Sequence, residues 1–124
     1  MSSQMINRLH EKLRSLEFIE GVIGTAIVER NGLLITSRLP RDIDERKCGA
    51  MAATIYNALE MAINSLKKKE ISHITVELSD YQLIIMGSNN KFLLISLFEL
   101  NINLGIALIE MEQIINNIKS IIEN

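Results

Sequence analysis

At 124 residues the chain has the length of one domain, long enough to bury a core without a metal or disulfide to staple it. Hydrophobic residues make up 48% and charged ones 23%, which argues against disorder, and a formal net charge of -2 gives no basic field to steer nucleic acid. A single cysteine, Cys48, excludes an internal disulfide and a cysteine-rich zinc site, and suits a reducing cytoplasm.

The first sixteen residues carry charges between their leucines and lack the apolar centre of a secretion signal. The longest apolar runs, such as residues 83–86, fall far short of the ~18 residues of a membrane span. The expectation is a cytoplasmic protein with no membrane span. Aromatic residues are only 4%, so aliphatic side chains, isoleucine above all, must fill the core. Abundant lysine, glutamate and asparagine point to an AT-rich prokaryotic genome.

A first helix is predicted over 4–16, where Met5, Leu9, Leu13 and Leu16 recur at helical spacing opposite Arg8, Glu11, Lys12 and Arg14. Gly21 marks a break. A β-branched strand over 22–29 ends at Asn31-Gly32, a strong hairpin signal, and a second strand returns over 33–37. Gly24 and Ala26 share a face of the first strand, where another backbone can approach closely. Pro40, the only proline, falls in a charged stretch over 37–45.

Asp44 is placed to cap a second helix that runs to residue 68. Cys48, Ala52, Ile55, Leu59, Ala62, Ile63 and Leu66 make one wide apolar stripe, its expected inner side. Beside it runs a second, partly apolar stripe of Met51, Thr54, Ala58, Met61 and Ser65, which leaves Asn57, Glu60, Asn64 and Lys67 for water. A helix apolar over so much of its circumference is covered on two sides. Lys67, Lys68 and Lys69 suit the negative pole of its dipole.

Three strands follow, over 71–78, 81–88 and 91–98, joined by turns at Ser79-Asp80 and Asn89-Asn90. In the first, Ile74, Val76 and Leu78 alternate with His73, Thr75 and Glu77. The other two are apolar on both faces and therefore central. A closing helix starting near Asn103 carries Leu104, Leu108, Met111, Ile115, Ile118 and Ile122 on one stripe. The order αββαβββα with hairpin-length connections predicts an α+β fold, a single domain over 1–124. Its five-stranded antiparallel sheet has the central helix on one face and the terminal helices on the other.

Catalytic chemistry is sparse. No His, Cys or carboxylate cluster has metal-ligand spacing, and no catalytic, cofactor-binding or metal residue is assigned. His10 reads as a solvated helical histidine. His73 and Glu77 share the polar side of a strand without a nucleophile, which favours a surface or cross-subunit contact over an acid–base pair. Cys48 reads as a small buried filler rather than a reactive thiol. Gly21, Gly24, Gly32 and Gly49 match neither a phosphate loop nor a dinucleotide fingerprint. Arg38, Arg41 and Arg46, with Lys47, precede or open the second helix but are interleaved with Asp42, Asp44 and Glu45. They form a solvated loop or a site for an acidic partner.

The surplus stripe of the second helix is the most informative feature. The strand over 71–78 adds to it, because it contains neither proline nor lysine to protect an exposed edge. Together they predict self-association through this helix and strand.

Residues 21–40, GVIGTAIVERNGLLITSRLP, resemble the opening hairpin of the Roadblock/dynein light-chain family. The alanine-rich second helix and the Asn103-Leu104-Gly105 entry to the last helix are similar to that family too, so the resemblance runs from the first helix to Ile122. It rests on the order and spacing of short hydrophobic motifs. The resemblance implies a homodimer, or a heterodimer with a sibling Roadblock protein, in which the second helices pack antiparallel and the third strands pair. On this chain that places Met51, Thr54, Ala58, Met61, Ser65, His73, Thr75 and Glu77 at the dimer interface. The resemblance further implies a non-enzymatic platform that binds Ras-like small GTPases and regulates their nucleotide cycle, as a GTPase-activating protein for example. A light chain on a motor complex is the other role it implies. Prokaryotic members, archaeal ones included, are taken as GTPase regulators.

The expectation is therefore a non-enzymatic dimeric scaffold for a Ras-like small GTPase, without cofactor. Arg38, Arg41 and Arg46 are candidates for partner binding by residue type alone. A passive dimerisation adaptor is one alternative. A small-molecule sensor is another, disfavoured by an interior that offers few polar residues besides Thr25 and Ser96.

Overall fold

The computed structural model describes residues 1–67, 70–88 and 91–123. Its elements are α1 (Ser3–Leu16), β1 (Val22–Glu29), β2 (Leu34–Arg38), α2 (Glu45–Asn64), β3 (Ile74–Glu77), β4 (Gln82–Ser88), β5 (Phe92–Phe98) and α3 (Leu104–Glu123). Lys68 and Lys69, at the end of the expected helix and lysine run, and the Asn89-Asn90 turn lie outside the described residues.

Side-chain caps set the helix starts. The Ser2 hydroxyl accepts from the Met5 amide at 3.1 Å, and Asp44 Oδ1 accepts from the Arg46 and Lys47 amides at 3.1 Å each. Asn103 Oδ1 does the same for Ile106 at 3.1 Å. Each satisfies donors that a helix leaves orphaned in its first turn. The hairpin turns where expected: Gly32 takes φ +93, open to a residue without Cβ, and Asn31 Oδ1 accepts from the Leu33 amide at 3.0 Å.

All strand pairs are antiparallel and the sheet order is β2-β1-β5-β4-β3. The fold class is as the sequence predicts. α1 and α3 cover one face, where Leu9, Leu13, Leu16, Ile27, Phe98 and Met111 are all fully or almost fully buried. α2 covers the other, packing on β1, β2 and β5 over Ala26, Val28, Leu93 and Ile95. β5 is buried along its whole length, as befits the middle strand.

Three details differ from the sequence expectation. The inner side of α2 is Gly49, Ala52, Ala53 and Tyr56 rather than the wide stripe; Leu59 and Leu66 stand 40% and 60% exposed, and Ala62 is exposed. Small residues win because they let the helix axis come close: a Cβ on Gly49 would lie 2.7 Å from Val28 Cγ1. In α3 the buried stripe is Ala107, Met111, Ile114, Ile115, Ile118 and Ile121, while Leu104 is 36% exposed and Leu108 and Ile122 are half-buried. β3 is only four residues long, shorter than the alternating run over 71–78.

Candidate interaction surface

The outward side of α2 holds four residues of the second stripe, and the fifth, Ser65, caps its C-terminus. Met51 is 43% and Met61 75% exposed, and Thr54, Ala58 and Ser65 are exposed between and beyond them. The two hydroxyls make no demand on a partner. Thr54 Oγ1 donates to the Ala50 carbonyl at 2.8 Å and Ser65 Oγ to the Ala62 carbonyl at 2.6 Å. The stripe therefore presents a largely apolar surface to solvent, with unbranched, adaptable methionines at 51 and 61.

Arg30 fixes α2 against the hairpin. Its guanidinium lies 2.5 Å from Glu60 Oε1 and 3.1 Å from Asn57 Oδ1, while Asn57 Nδ2 donates back to the Arg30 carbonyl at 2.9 Å. Asn57 and Glu60, expected in water, are half-buried for that reason. Tyr56 reaches the other way and donates to the Ile71 carbonyl at 3.5 Å, ahead of β3. Burial pushes its phenol up from the ordinary value, against the lowering effect of Arg30.

β3 pairs only with β4, which leaves its other edge open among the described residues. Ile74 and Val76 lean toward the α2 side and are half-buried; Thr75 and Glu77 are exposed. His73 precedes the strand, half-buried, with Nδ1 3.3 Å from Ser72 Oγ. Between the start of α2 and the end of β3 runs an apolar groove of about 350 Å³, lined by Cys48, Met51, Leu78, Tyr81, Leu83 and Leu97. It brings one predicted helix residue, Met51, beside the end of the predicted strand. Cys48 is half-buried there, and burial pushes its thiol up from the ordinary value, away from nucleophilic use.

The three arginines do not share one role. Arg38 is held inside the domain: Nε donates to Glu17 Oε1 at 2.8 Å, and Nη1 lies 3.0 Å from His10 Nε2. His10 Nδ1 in turn lies 2.8 Å from Thr36 Oγ1, so this histidine ties α1 to β2 and is not the solvated residue that the sequence suggests. Arg41 and Arg46 are exposed, Arg46 beside Leu33 and Leu34. Thr25 and Ser96 face each other across β1 and β5, fully buried, and neither hydroxyl has a hydrogen-bond partner among the described residues.

Leu59 and Leu66, expected on the inner stripe of the second helix, stand at the surface instead. Phe18, Ile106 and Ile109 are also exposed, at 91%, 54% and 58%, in the α1–β1 turn and on the outer side of α3. Among the described residues no three His, Cys, Asp or Glu side chains are grouped to hold a metal ion, and no helix is long and apolar enough to cross a membrane.

A five-stranded antiparallel sheet with one helix against two, an apolar outward helix side and an open strand edge define a small interaction module. The sequence matches the Roadblock/LC7 domain over residues 9–98, and the chain belongs to that family. The match ends before α3, whereas structural similarity includes it. The structure of MglB from Myxococcus xanthus superposes with a TM-score of 0.91 at 17% identity, covering 99% of this chain and 93% of that one. The gliding protein MglB from Thermus thermophilus gives 0.88 at 14% identity, covering 99% and 94%. A Roadblock/LC7 domain from Streptomyces avermitilis gives 0.84 at 14%, covering 92% and 97%. At these identities the likeness shows the fold. In sequence, the Methanocaldococcus jannaschii protein MJ0714 is 28% identical over 97% of this chain and 98% of its own length. MJ0310 from the same archaeon is 28% identical over 94% and 98%.

Proposed function

We propose that this protein is a non-enzymatic dimeric scaffold that binds and regulates a Ras-like small GTPase in the cytoplasm of an archaeal cell. The observation that carries the reading is the apolar outward side of α2 beside the open edge of β3. Solvent-facing methionines and alanines with internally satisfied hydroxyls, next to an unprotected strand, favour a protein partner over water. Two copies would meet through Met51, Thr54, Ala58, Met61 and Ser65 of α2 and through His73, Thr75 and Glu77 around β3. A heterodimer with a sibling Roadblock protein uses the same surface. Family membership supports the GTPase as partner, and the Methanocaldococcus relatives support the archaeal setting. A half-buried thiol as the only cysteine accords with a reducing compartment.

The scaffold would act by favouring one conformation of the GTPase, since an effect on a rate needs differential affinity for two states. Arg41 and Arg46, exposed near the start of α2, are the free members of the arginine group for contact with an acidic partner; Arg38 is committed to Glu17 and His10. GTP turnover by the source organism's own Ras-like GTPases, measured with and without this protein, tests the reading. The protein alone turns over no GTP, and with it the rate of the cognate GTPase changes. Binding without any change of rate would favour the passive adaptor. Loss of stimulated hydrolysis on Arg41→Ala or Arg46→Ala, with binding intact, would show an arginine finger and overturn the non-enzymatic reading.

A further inference from the structure

We infer that the end of the domain formed by the turn at Phe18 and the start of α3 is a docking site for a basic amphipathic helix of another protein. It lies apart from the α2 and β3 surface proposed for self-association and gives the scaffold a second partner.

The chain has three phenylalanines, and Phe92 and Phe98 are buried in the core. Phe18 instead stands almost wholly in water, in the turn after α1. A single exposed apolar side chain is ordinary, whereas a cluster marks a contact surface. Leu100, Leu104, Ile106 and Ile109 are exposed as well.

Topology gathers these residues at one end. β1 starts where β5 stops, with Val22 opposite Phe98, and the Gly21 carbonyl accepts from the Glu99 amide at 2.8 Å. Ile102 fills the space that a Cβ on Gly21 would take, so the turns after α1 and before α3 pack together. From there α3 runs back along α1, since Asn117 and Ser120 share a groove with Arg8 and Lys12. Ile106, Glu110 and Gln113 carry that flank of α3 back to its start at intervals of four and three residues. Ile106 therefore stands on the α1 side of α3, at the Phe18 end.

The charge of this end has one sign. Residues 15–29 and 92–118 contain no lysine or arginine. Glu20 and Glu99 are exposed and Glu110 is half-buried, and none of them makes an ion pair among the described residues. Arg14 and Arg38 are engaged by Glu11 and Glu17. An apolar patch among unpaired carboxylates complements an apolar stripe flanked by Lys or Arg, and repels nucleic acid and anionic lipid.

The strands select the shape of the partner. β1 and β5 are each paired on both sides, so an extended peptide finds no free edge here for main-chain hydrogen bonds. A helix satisfies its own backbone and brings only side chains. A second copy of this chain does not match. The exposed residues of α1, Arg8, Glu11 and Arg14 among them, include no apolar side chain, and the outward stripe of α2 includes no cation.

The test titrates the full chain into a fluorescein-labelled leucine–lysine peptide of roughly 18 residues, its leucines on one helical stripe, and follows anisotropy. A leucine–glutamate peptide of the same pattern is the control. The expected result is micromolar binding of the lysine peptide and none of the glutamate peptide. Phe18→Ser with Ile109→Asn, both exposed and so without effect on the fold, weakens binding at least tenfold. Glu20→Lys with Glu110→Lys does the same. Glu70→Lys with Glu123→Lys, an equal change of charge far from this end, leaves affinity within twofold, as does Met51→Ser with Met61→Ser. Binding that survives loss of Phe18 and Ile109, or that falls as far with the Glu70 and Glu123 changes or the methionine changes, overturns the site. Equal binding of the two peptides, or no binding, overturns it too. A native mass in sedimentation that exceeds a dimer and returns to one in Phe18→Ser would make the occupant a second copy, against the inference.

Discussion

The guanidinium carbon of Arg30 lies 4.7 Å from the centroid of the Tyr56 ring, stacked from the β1–β2 hairpin onto the inner side of α2. The same group holds Asn57 and Glu60, so one side chain sets the rotation of the helix about its axis. That rotation decides which residues face solvent, and hence which would be open to the proposed partner. Glu60 is 40% exposed, which weakens its ion pair, but the Arg30 side chain is only 15% exposed. Arg30→Ala should cost about 2 kcal/mol of stability, read from urea midpoints, with the stacking and charged hydrogen bonds both lost. Arg30→Lys should recover only part, because an ammonium lacks the planar fork.

Gly49 tests whether close approach governs the seating of α2. In an open helix Gly→Ala gains about 1 kcal/mol from propensity. Here the new Cβ would meet Val28 Cγ1 at 2.7 Å, on a β-branched side chain with little freedom to move. Gly49→Ala should therefore destabilise, by about 1–2 kcal/mol net. A gain in thermal midpoint would show that α2 sits further from β1.

That contact also explains what was legible in the sequence. Element order, hairpin and caps could be read because Asn31-Gly32, Asp44 and Asn103 act locally, each through its own side chain or φ. The rotation of α2 could not, because apolarity alone ranks Leu59 and Leu66 above Gly49 and Ala53, and only the position of Val28 and Arg30 reverses that order. His10 was missed similarly: its partners Thr36 and Arg38 lie 26 and 28 residues away, on β2. The outward stripe could be read because it is defined by what remains once one side of the helix is buried.

Stability should fall in alkali. Burial raises the Cys48 thiol above its ordinary 9.0 and the Tyr56 phenol above its ordinary 10.0. The fold then holds these protons more tightly than the unfolded chain does. Their contribution is complete below the unfolded values and is lost as pH rises through the folded ones. Urea midpoints should stay level from about pH 7 to 8.5 and decline above about 9, with a shallower decline in Cys48→Ala and Tyr56→Phe. A midpoint that rises with pH over this range would contradict the assignment.

Ala58→Glu should split the dimer. The residue sits midway along the outward α2 stripe through which two copies are proposed to meet, so each copy would bring a carboxylate into that contact. Sedimentation equilibrium at micromolar concentration should report twice the 14.0 kDa chain mass for the native protein and the single mass for the variant. The variant's circular dichroism should be unchanged, because Ala58 is exposed in the isolated domain. An unchanged dimer mass would place the interface elsewhere.

The central claim is that this scaffold recognises a small GTPase by its nucleotide state. Calorimetric titration of the dimer with the source organism's Ras-like GTPases tests it directly, each loaded in turn with GDP and with a non-hydrolysable GTP analogue. The account predicts that one GTPase binds in both states with affinities at least tenfold apart, equivalent to about 1.4 kcal/mol of coupling. Equal affinity for the two loaded forms, or no binding to any of these GTPases, would contradict it.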